Sequence, residues 1–567
     1  MSRKMSPGGR IESHSRRGIF FASPEILEVR VLPAASSLLL SDLNGTNGAT
    51  FLGIDTAISS PADFGDRSGW SVSGVGDVNG DGFDDMFVSA PFADGDPNSV
   101  STRDSGECYL VFGKADWSMT SSMSFSSLNG TNGVIFYGIE LQDNAGYSVS
   151  GAGDVNHDGF ADLLIGAPLG DGAGNGTENV GETYLVFGKS DWSSTPSVNL
   201  SSLDGTSGVT FYGIDSTDFS GINVSGVGDV NGDNFDDFMI GADSTRGPNN
   251  QDSSGGESYL IFGKMDWSST PTFNLSTLNG TNGVLFYGAN VAGENFGNAG
   301  DMNGDGIQDL LLDSSQSGAA EVSLVFGKAD WSSTPTVDLF TANSSVLIRI
   351  ASPFPDAGMV VSKEGGDVNG DGYDDFMLGF PEADGPGGTI LNSGESYLVF
   401  GRSDWSNPPS LSNVNGTDVV RFYGVDPGDS SGIVNIVGDL NGDGYDEITI
   451  SAFVADGVTN NASQTGEVYV VYGKPNWQFT PNYYLAALDG INGYTIYGIN
   501  DHDFAATQSG SGDVNGDGFD DLLIGAWGAD SVNNSLSQAG EAYIVFGFDT
   551  SNPVIDKVGV HRGDTFY

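Results

Sequence analysis

The chain has 567 residues, with 75 Asp plus Glu against 20 Lys plus Arg, 85 glycines and 38% hydrophobic residues. Its formal net charge of −55 repels phosphate groups, which excludes nucleic acid and anionic membranes as partners of the main body of the protein. Cys108 is the single cysteine, which excludes an internal disulfide, and no run of eighteen apolar residues is present to form a membrane-spanning helix.

The first 36 residues differ from the remainder in charge. Six of the twenty basic residues fall within the first 34 positions, around a short apolar stretch at Ile19–Ala22. We predict that residues 1–36 are a basic export-type leader, disordered or removed. The segment Leu27–Ala34 resembles an export-linked segment of large planctomycete surface proteins, which implies a bacterial chain that is secreted or held at the cell surface. A disordered basic leader without a signal is the alternative.

From residue 37 to residue 549 one pattern recurs seven times. Each unit combines a small-residue strand, a Gly-Asp-Val-Asn-Gly-Asp-Gly loop, an apolar strand, a variable loop, an aromatic strand, a tryptophan turn and a final strand. Four strands repeated seven times, with no helical periodicity between them, predict an all-β, seven-bladed β-propeller of four-stranded antiparallel blades. An open solenoid is the alternative.

The second unit illustrates the predicted strands. They are Tyr147–Gly151, Leu163–Ile165, Tyr184–Phe187 and, as the fourth, Val198–Leu200. The amino-terminal stretch Ser37–Leu43 matches the region of this fourth strand, whereas the last unit lacks a full fourth strand. We therefore predict that the amino-terminal strand completes blade seven and closes the ring.

A tryptophan follows the aromatic strand in six units, each preceded by Asp or Asn. One indole per blade at the same place indicates packing rather than ligand contact, because a buried indole contributes a large apolar area. These residues are Trp117, Trp192, Trp267, Trp331, Trp405 and Trp477.

The loop spacing Asp-x-Asn-x-Asp-Gly-x-x-Asp carries the chemistry. It places side-chain oxygens at positions one, three, five and nine, with a backbone carbonyl available at position seven. Calcium takes six to eight oxygen ligands, and a glycine at position six permits the sharp turn around the ion. We predict up to seven calcium sites, one in each loop.

The predicted ligands, with the carbonyl donor fourth in each set, are Asp77, Asn79, Asp81, Phe83 and Asp85; Asp154, Asn156, Asp158, Phe160 and Asp162; Asp229, Asn231, Asp233, Phe235 and Asp237; Asp301, Asn303, Asp305, Ile307 and Asp309; Asp367, Asn369, Asp371, Tyr373 and Asp375; Asp439, Asn441, Asp443, Tyr445 and Glu447; Asp513, Asn515, Asp517, Phe519 and Asp521. Two loops depart from the pattern. Asn234 replaces the glycine in blade three, and Glu447 replaces the last aspartate in blade six. We expect these two sites to be weaker or differently shaped, although asparagine tolerates positive φ and glutamate still reaches an ion.

The repeat resembles the FG-GAP repeat of integrin α-subunit propellers over residues 37–549. Gly166–Pro168 reproduces Gly-Ala-Pro, and Phe64–Gly65 and Phe296–Gly297 reproduce Phe-Gly in some units. The resemblance implies calcium on one face and a ligand on the opposite one. Integrin propellers carry the same loop, usually in a subset of blades, whereas all seven units have it here. The resemblance does not extend to an integrin subunit's leg domains or partner subunit.

The loops between the second and third strands should lie on the face opposite the calcium loops. Their residues best suited to anchor a protein or glycan partner are Phe92, Arg103, Arg246, Phe453 and Trp527, because aromatic and arginine side chains dominate interface energetics. Solvated hairpin tips are the alternative interpretation.

The four histidines are scattered, and no nucleophile elbow or phosphate-binding glycine loop is present. We therefore predict a non-enzymatic, extracellular adhesion or protein-interaction scaffold, most simply a monomer. A lectin-like glycan binder and a hydrolase-associated propeller are the alternatives. Residues 550–567 form a predicted tail, in which Arg562–Asp564 resembles an integrin-recognition tripeptide.

Overall fold

The fold was examined in a computed structural model. It describes residues 37–54, 65–96, 103–244, 255–288, 293–315, 320–344, 346–354, 358–458, 460, 463–530 and 538–550. The predicted leader (1–36), nearly all of the tail, including Arg562–Asp564, and the candidate anchor Arg246 lie outside these ranges.

The described residues form seven sheets, and the 34 strands are numbered here in chain order. Innermost in blades one to seven are β3 (Val72–Gly76), β8 (Ser148–Gly153), β13 (Val224–Gly228), β18 (Phe296–Gly300), β23 (Val360–Val361), β27 (Ile433–Ile436) and β32 (Ala505–Gly510). The second strands are β4 (Asp85–Ala90), β9 (Asp162–Ala167), β14 (Asp237–Ala242), β19 (Asp309–Asp313), β24 (Phe376–Phe380), β28 (Ile448–Ala452) and β33 (Leu522–Ala526).

The third strands are β5 (Glu107–Val111), β10 (Glu182–Val186), β15 (Glu257–Ile261), β20 (Glu321–Val325), β25 (Glu395–Val399), β29 (Glu467–Val471) and β34 (Glu541–Val545). The fourth strands are β7 (Gly133–Tyr137), β12 (Gly208–Tyr212), β17 (Gly283–Tyr287), β22 (Leu347–Ala351), β26 (Val419–Tyr423), β31 (Gly493–Tyr497) and, in blade seven, β2 (Gly48–Leu52). These four strands of each blade are antiparallel, as the repeat predicted.

A short fifth strand runs parallel to the fourth strand in six of the seven described sheets. In blades one, two, three, five, six and seven these are β11 (Ser197–Asn199), β16 (Thr272–Asn274), β21 (Thr336–Asp338), β30 (Asn482–Tyr484), β1 (Ser37–Leu39) and β6 (Ser122–Ser124). None of the described helices is long and apolar enough to span a membrane. All of them are single 3-10 turns, at Leu40–Asp42, Phe125–Ser127, Leu200–Ser202, Leu275–Thr277, Pro386–Gly388 and Leu485–Ala487.

The predicted fourth strand of blade two, Val198–Leu200, is wrong. Residues Ser197–Asn199 form β11, which pairs in parallel with β7 of blade one, and the fourth strand of blade two is Gly208–Tyr212. The chain first covers the outer edge of the neighbouring blade, whose backbone groups would otherwise be unpaired, and then turns back to complete its own sheet.

The amino-terminal segment named as the closing strand also lies elsewhere. Ser37–Leu39 pairs in parallel with β31 of blade six. The strand that completes blade seven comes later, at Gly48–Leu52, and pairs antiparallel with β34, with Thr50 opposite Tyr543. The sequence match between Ser37–Leu43 and the region of Val198–Leu200 was real, but both segments form fifth strands on the preceding blade. The error was to interpret this shared pattern as a fourth strand.

The inner strands contact one another around a closed ring. β3 contacts both β8 and β32, so blade one touches blade seven as well as blade two. Ser73 Oγ accepts a hydrogen bond from the N–H of Gly151 in blade two, and Ser509 Oγ of blade seven accepts one from the N–H of Gly74. This closure excludes the open solenoid.

The tryptophans are structural, as predicted. All six indoles are at most 6% exposed and pack into the apolar clusters between blades. A basic side chain lies over each ring, as where the Lys474 ammonium stands 4.0 Å from the Trp477 ring centroid. The sequence signal for this contact was a Lys or Arg three residues before the tryptophan in each unit.

The closing strand β2 gives a direct test of the ring. Phe51 is fully buried and packs edge-on against Trp117 at 5.9 Å. We expect Phe51→Ala to lower the free energy of unfolding by about 3–5 kcal/mol, because it leaves a cavity where the closing strand packs against Trp117. Chemical denaturation of Phe51→Ala should be compared with Leu52→Ala, a half-buried neighbour in the same strand. Equal small losses in both variants would contradict a closing role.

Candidate functional site

The seven acidic loops lie at the same end of their blades. Each loop connects the innermost strand to the second strand, as where β3 ends at Gly76 and β4 begins at Asp85. Adjacent loops are hydrogen-bonded to each other, as where the Asp520 N–H donates to the Asp439 carbonyl over 3.2 Å. The loops therefore form a circle on one face, the placement that the resemblance implied for them.

The first aspartate of each loop organises its backbone. Asp77 Oδ1 accepts from the N–H groups of Gly80 (2.6 Å) and Asp81 (3.1 Å), and Oδ2 accepts from Gly82 (2.8 Å). Asp81 in turn accepts from the N–H of Phe83. The same bonds recur in five further loops that begin at Asp229, Asp301, Asp367, Asp439 and Asp513. The loop at Asp154 keeps the bonds from Asp158 and Gly159.

The last carboxylate of each loop is buried. Asp85 is 0% exposed, and it accepts from the N–H of Val78 (3.0 Å) and from that of Gly113 after the third strand (2.9 Å). Burial raises the pKa of Asp85 to about 8, against the lowering effect of these two bonds. The equivalent residues, all 0% exposed, are Asp162, Asp237, Asp309, Asp375, Glu447 and Asp521. A nearby cation would favour their ionised form.

The asparagine at position three leaves an oxygen available. In blade one the Asn79 amide nitrogen lies 3.5 Å from Asp85 Oδ2 as a donor, so its carbonyl oxygen is not the atom used in that contact. In blade two Asn156 Oδ1 is buried and has no hydrogen-bond partner. A buried carbonyl oxygen without a donor is costly unless it meets a cation or water. The oxygen-only donor set and this orphaned acceptor fit a calcium ion.

Blade six brings its carboxylates closest together. One oxygen each from Asp439, Asp443 and Glu447 lies within 4.8 Å of the others, and within the described ranges this is the one such grouping of three metal-binding side chains. Glu447 is one methylene longer than the aspartate of the other loops. This loop therefore differs in the arrangement of its carboxylates from the other six. In blade three, Asn234 adopts φ +68°, the conformation that glycine supplies elsewhere.

Sequence reasoning missed position eight. Asp520 in blade seven accepts a hydrogen bond through Oδ2 from the N–H of Asp439 in blade six, over 2.9 Å. An acidic pair at positions eight and nine was visible in five loops, as Asp-Asp in four and Asp-Glu in blade six, but only the folded ring shows that the first of the two reaches the neighbouring blade.

The face opposite the acidic loops carries five half-buried rings at the inner ends of blades seven, one and two. We call Trp70, Phe92, Tyr147, Phe504 and Trp527 the aromatic cluster. Trp70 lies 5.4 Å from Phe92 and 5.6 Å from both Tyr147 and Trp527, and Trp527 stacks on Phe504 at 4.4 Å. Two of the predicted anchors thus belong to one surface.

Arg67 joins the aromatic cluster. Its guanidinium carbon lies 5.1 Å from the Phe92 ring centroid, 5.2 Å from Trp527 and 5.9 Å from Trp70. Of the other predicted anchors, Arg103 is exposed and paired with Asp104 at 3.0 Å, and Phe453 is half-buried after β28 in blade six.

Buried carboxylates also lie toward this second face, at the start of the third strands. Glu107 accepts a hydrogen bond from the Tyr109 hydroxyl over 2.9 Å, and the same pair recurs in five further blades. Burial raises the pKa of Glu107 to about 7, with Asp94 and Asp96 raising it further, and burial likewise raises the pKa of Glu257 to about 7.

Comparison with known proteins identifies the repeat. The FG-GAP repeat family model matches residues 68–105, 145–186 and 505–545. Integrin alpha-5 of Xenopus laevis is 27% identical over 175 residues, and integrin alpha-PS3 of Drosophila melanogaster is 30% identical over 180 residues. Phosphatidylinositol-glycan-specific phospholipase D of Bos taurus is 26% identical over 200 residues.

These matches are partial. They cover 31%, 32% and 33% of this chain, and 14%, 14% and 22% of the respective relatives. The chain thus spans less than a quarter of the length of each of these curated relatives. A solved Dos1 propeller aligns over 88% of this chain and 96% of its own, with a TM-score of 0.34 and 11% identity, too distant to support an argument.

The buried glutamates predict a pH dependence. Because the folded pKa values of Glu107 and Glu257 (about 7) exceed the ordinary value near 4.5, these two groups bind extra protons in the folded state. Their contribution to stability is therefore fully present below about pH 4.5 and is lost as pH rises through 7. We expect each glutamate to contribute on the order of 1–3 kcal/mol to this loss. Denaturation of Glu107→Gln between pH 5 and 8, at constant calcium, should show a shallower slope. The exposed Glu178→Gln is the control, and an unchanged slope in Glu107→Gln would contradict the assignment.

Proposed function

We propose that this FG-GAP repeat propeller, which resembles those of integrin α subunits, is an extracellular calcium-binding scaffold for adhesion or protein interaction. The observation that carries the proposal is the circle of seven acidic loops on one face, each with the same oxygen donors. Integrins and phosphatidylinositol-glycan-specific phospholipase D, to which the chain is similar, act at or outside the cell surface, which supports an extracellular location.

In each loop the proposed ligands are the side chains at positions one, three, five and nine and the carbonyl at position seven. A bound calcium ion would supply positive charge where three carboxylates otherwise repel one another. Seven ions would change the formal charge from −55 to about −41, since each carries two positive charges. The repulsion among the carboxylates would then be weaker, but the protein would still repel other anionic molecules.

Calcium should also stabilise the fold. Extracellular calcium modules bind with dissociation constants of about 10⁻⁴–10⁻³ M. At millimolar calcium each occupied loop would then contribute about 0.4–1.4 kcal/mol. Seven loops would contribute roughly 3–10 kcal/mol, comparable with the net stability of an ordinary domain.

We therefore expect chelation to lower the melting temperature and calcium to restore it. Calorimetric titration of the chelated protein should give up to seven ions per chain. Asp439→Ala should remove one ion, because this residue organises loop six and supplies one of its three converging carboxylates. The exposed Glu178→Gln serves as the charge-matched control. Unchanged melting in EDTA together with no measurable calcium uptake would refute the calcium proposal.

The aromatic cluster supports a partner site on the opposite face. Half-buried rings and an arginine offer a partner both apolar area and polar groups, and they lose little side-chain entropy on binding. Aromatic and arginine side chains dominate the energetics of protein interfaces. All five rings project from the ends of strands rather than from long loops, so the strands hold them in place. The proposal is therefore that a partner docks on the aromatic cluster, on the face opposite the calcium loops.

This surface can be tested with defined partners. Purified protein should be applied to an array of extracellular proteins and to an array of oligosaccharides, both in millimolar calcium. We expect Trp527→Ala to weaken binding at least tenfold, because it removes one ring and unstacks Phe504. Met119→Ala, an exposed apolar residue (89%) at a tryptophan turn, should leave binding unchanged. Equal binding by wild type and Trp527→Ala would contradict the assignment of this surface.

A lectin-like function is the second candidate, and the aromatic cluster favours it as well, because flat rings flanked by carboxylates suit sugar rings and hydroxyls. Selective binding on the oligosaccharide array, lost in Trp527→Ala, would replace protein adhesion with glycan binding. Similarity to a phospholipase D keeps a hydrolase-associated role as a further alternative.

A further inference from the structure

The acidic loops form a continuous hydrogen-bonded circle. At position eight of every loop the backbone N–H donates to the carbonyl oxygen of position one in the preceding blade, over 3.1–3.4 Å. The donor and acceptor pairs are Asp84 to Asp513, Ala161 to Asp77, Asp236 to Asp154, Gln308 to Asp229, Asp374 to Asp301, Asp446 to Asp367 and Asp520 to Asp439.

Five of these junctions have a second bond through the position-eight side chain. The carboxylate accepts from the N–H of the same first aspartate, over 2.6–2.9 Å. We call each such pair of bonds a latch. The residues that form them are Asp84, Asp236, Asp374, Asp446 and Asp520.

Blades two and four lack the latch because position eight is not an aspartate. Ala161 has no polar side-chain atom. Gln308 accepts instead from the Asn298 amide of its own blade, over 3.1 Å. The junctions between blades one and two and between blades three and four are therefore held by the backbone bond without a carboxylate.

A glycine makes room for each latch. Gly438 precedes Asp439, and a Cβ at this position would lie 2.3 Å from Asp520 Oδ2. At Gly512 it would lie 2.1 Å from Asp84 Oδ2. All seven repeats have glycine here: Gly76, Gly153, Gly228, Gly300, Gly366, Gly438 and Gly512.

From this pattern we propose that the latches couple the calcium loops into two groups: a linked arc of five (blades four, five, six, seven and one) and a linked pair (blades two and three). The inference rests on the proposed calcium function and assigns the position-eight aspartates a positioning role. These aspartates are not counted among the ligands.

The coupling follows from where Asp520 lies. In its own loop it stands between Phe519 and Asp521, two of the proposed ligands of loop seven. Its backbone and carboxylate hold the C=O and the N–H of Asp439, the residue that organises loop six. Ordering loop seven therefore pre-orders the start of loop six, which lowers the entropy cost of binding there, and the effect is reciprocal.

A second contact, between a ring and a glycine, strengthens five of the seven junctions; the junction between blades two and three has His157 in place of the glycine, and that between blades three and four has Ile307 in place of the ring. The position-seven ring of one loop covers the position-four glycine of the preceding loop, so that a Cβ at Gly442 would lie 2.3 Å from Phe519 Cε1. Electrostatic repulsion between neighbouring ions opposes the coupling, but it acts at all seven junctions. The junction between blades one and two has the ring contact, Phe160 over Gly80, but no latch, so its comparison with the latched junctions isolates the latch.

Hydrogen exchange of the loop amides, followed during a calcium titration of the full chain, tests the proposal. In wild type we expect loops four, five, six, seven and one to become protected together, and loops two and three as a separate group. Asp520→Ala should shift protection of loop six to about tenfold higher calcium and leave loops two and three unchanged. Asp236→Ala is the matched control: it should shift loops two and three, which its latch joins, and leave the arc of five unchanged.

Two further variants separate the latch from loss of folding. Asp520→Asn keeps an oxygen acceptor and should retain much of the coupling. Ala161→Asp adds the missing carboxylate opposite Gly76, and it should join loops one and two into one group. A gain of coupling of this kind cannot result from a folding defect.

The proposal is overturned if Asp520→Ala leaves the calcium dependence of loop six unchanged, or if all seven loops in wild type become protected independently. Failure of the calcium function looks different, because wild type would then show no calcium-dependent protection in any loop. In that case the latch would still be detectable without calcium, because the Asp439 amide, which donates to Asp520, would exchange faster in Asp520→Ala than in wild type.

Discussion

The buried carboxylate at the end of each acidic loop is the interaction on which the rest of the structure depends. Asp85 joins three parts of blade one, since it begins the second strand, accepts the N–H of Val78 in the loop and accepts that of Gly113 after the third strand. Without this group the loop would lose its fixed position on the sheet. Its complete burial has an electrostatic cost, which two backbone donors offset in part and which a cation in the loop would offset further.

The blade architecture separates the two proposed activities. Each inner strand carries an acidic loop at one end and, in blades seven, one and two, an aromatic ring at the other. Trp70 and Asp77 are seven residues apart on an extended chain, so they lie roughly 20 Å from each other. Calcium would therefore influence a partner on the far face through the rigidity of the ring rather than by direct contact.

The blades are not equivalent, although the repeats look alike. Blade six gathers three carboxylates because Glu447 is longer. Blade five has the shortest inner strand, Val360–Val361, followed by Lys363 and Glu364, which line cavities of the central channel together with Gly74 and Ser509. Within the part of the chain that the structure describes, blade four has no fifth strand, and its third strand lacks the Glu–Tyr pair found at the start of the others. Blades four, five and six therefore differ from one another in local structure, although their sequences follow the same repeat.

The sequence by itself determined the all-β class, the number of blades, the place of the acidic loops and the structural role of the tryptophans, because each depends on local spacing that repeats within every unit. It did not determine strand partners. Ser37–Leu39 and Ser197–Asn199 look like fourth strands, yet they pair with the preceding blade, because edge pairing depends on which backbone groups remain free once the ring is assembled. The aromatic cluster and the latches were likewise decided only by tertiary structure. Trp70 and Trp527 are 457 positions apart in the chain, and Asp520 meets Asp439 because closure of the ring places consecutive loops side by side.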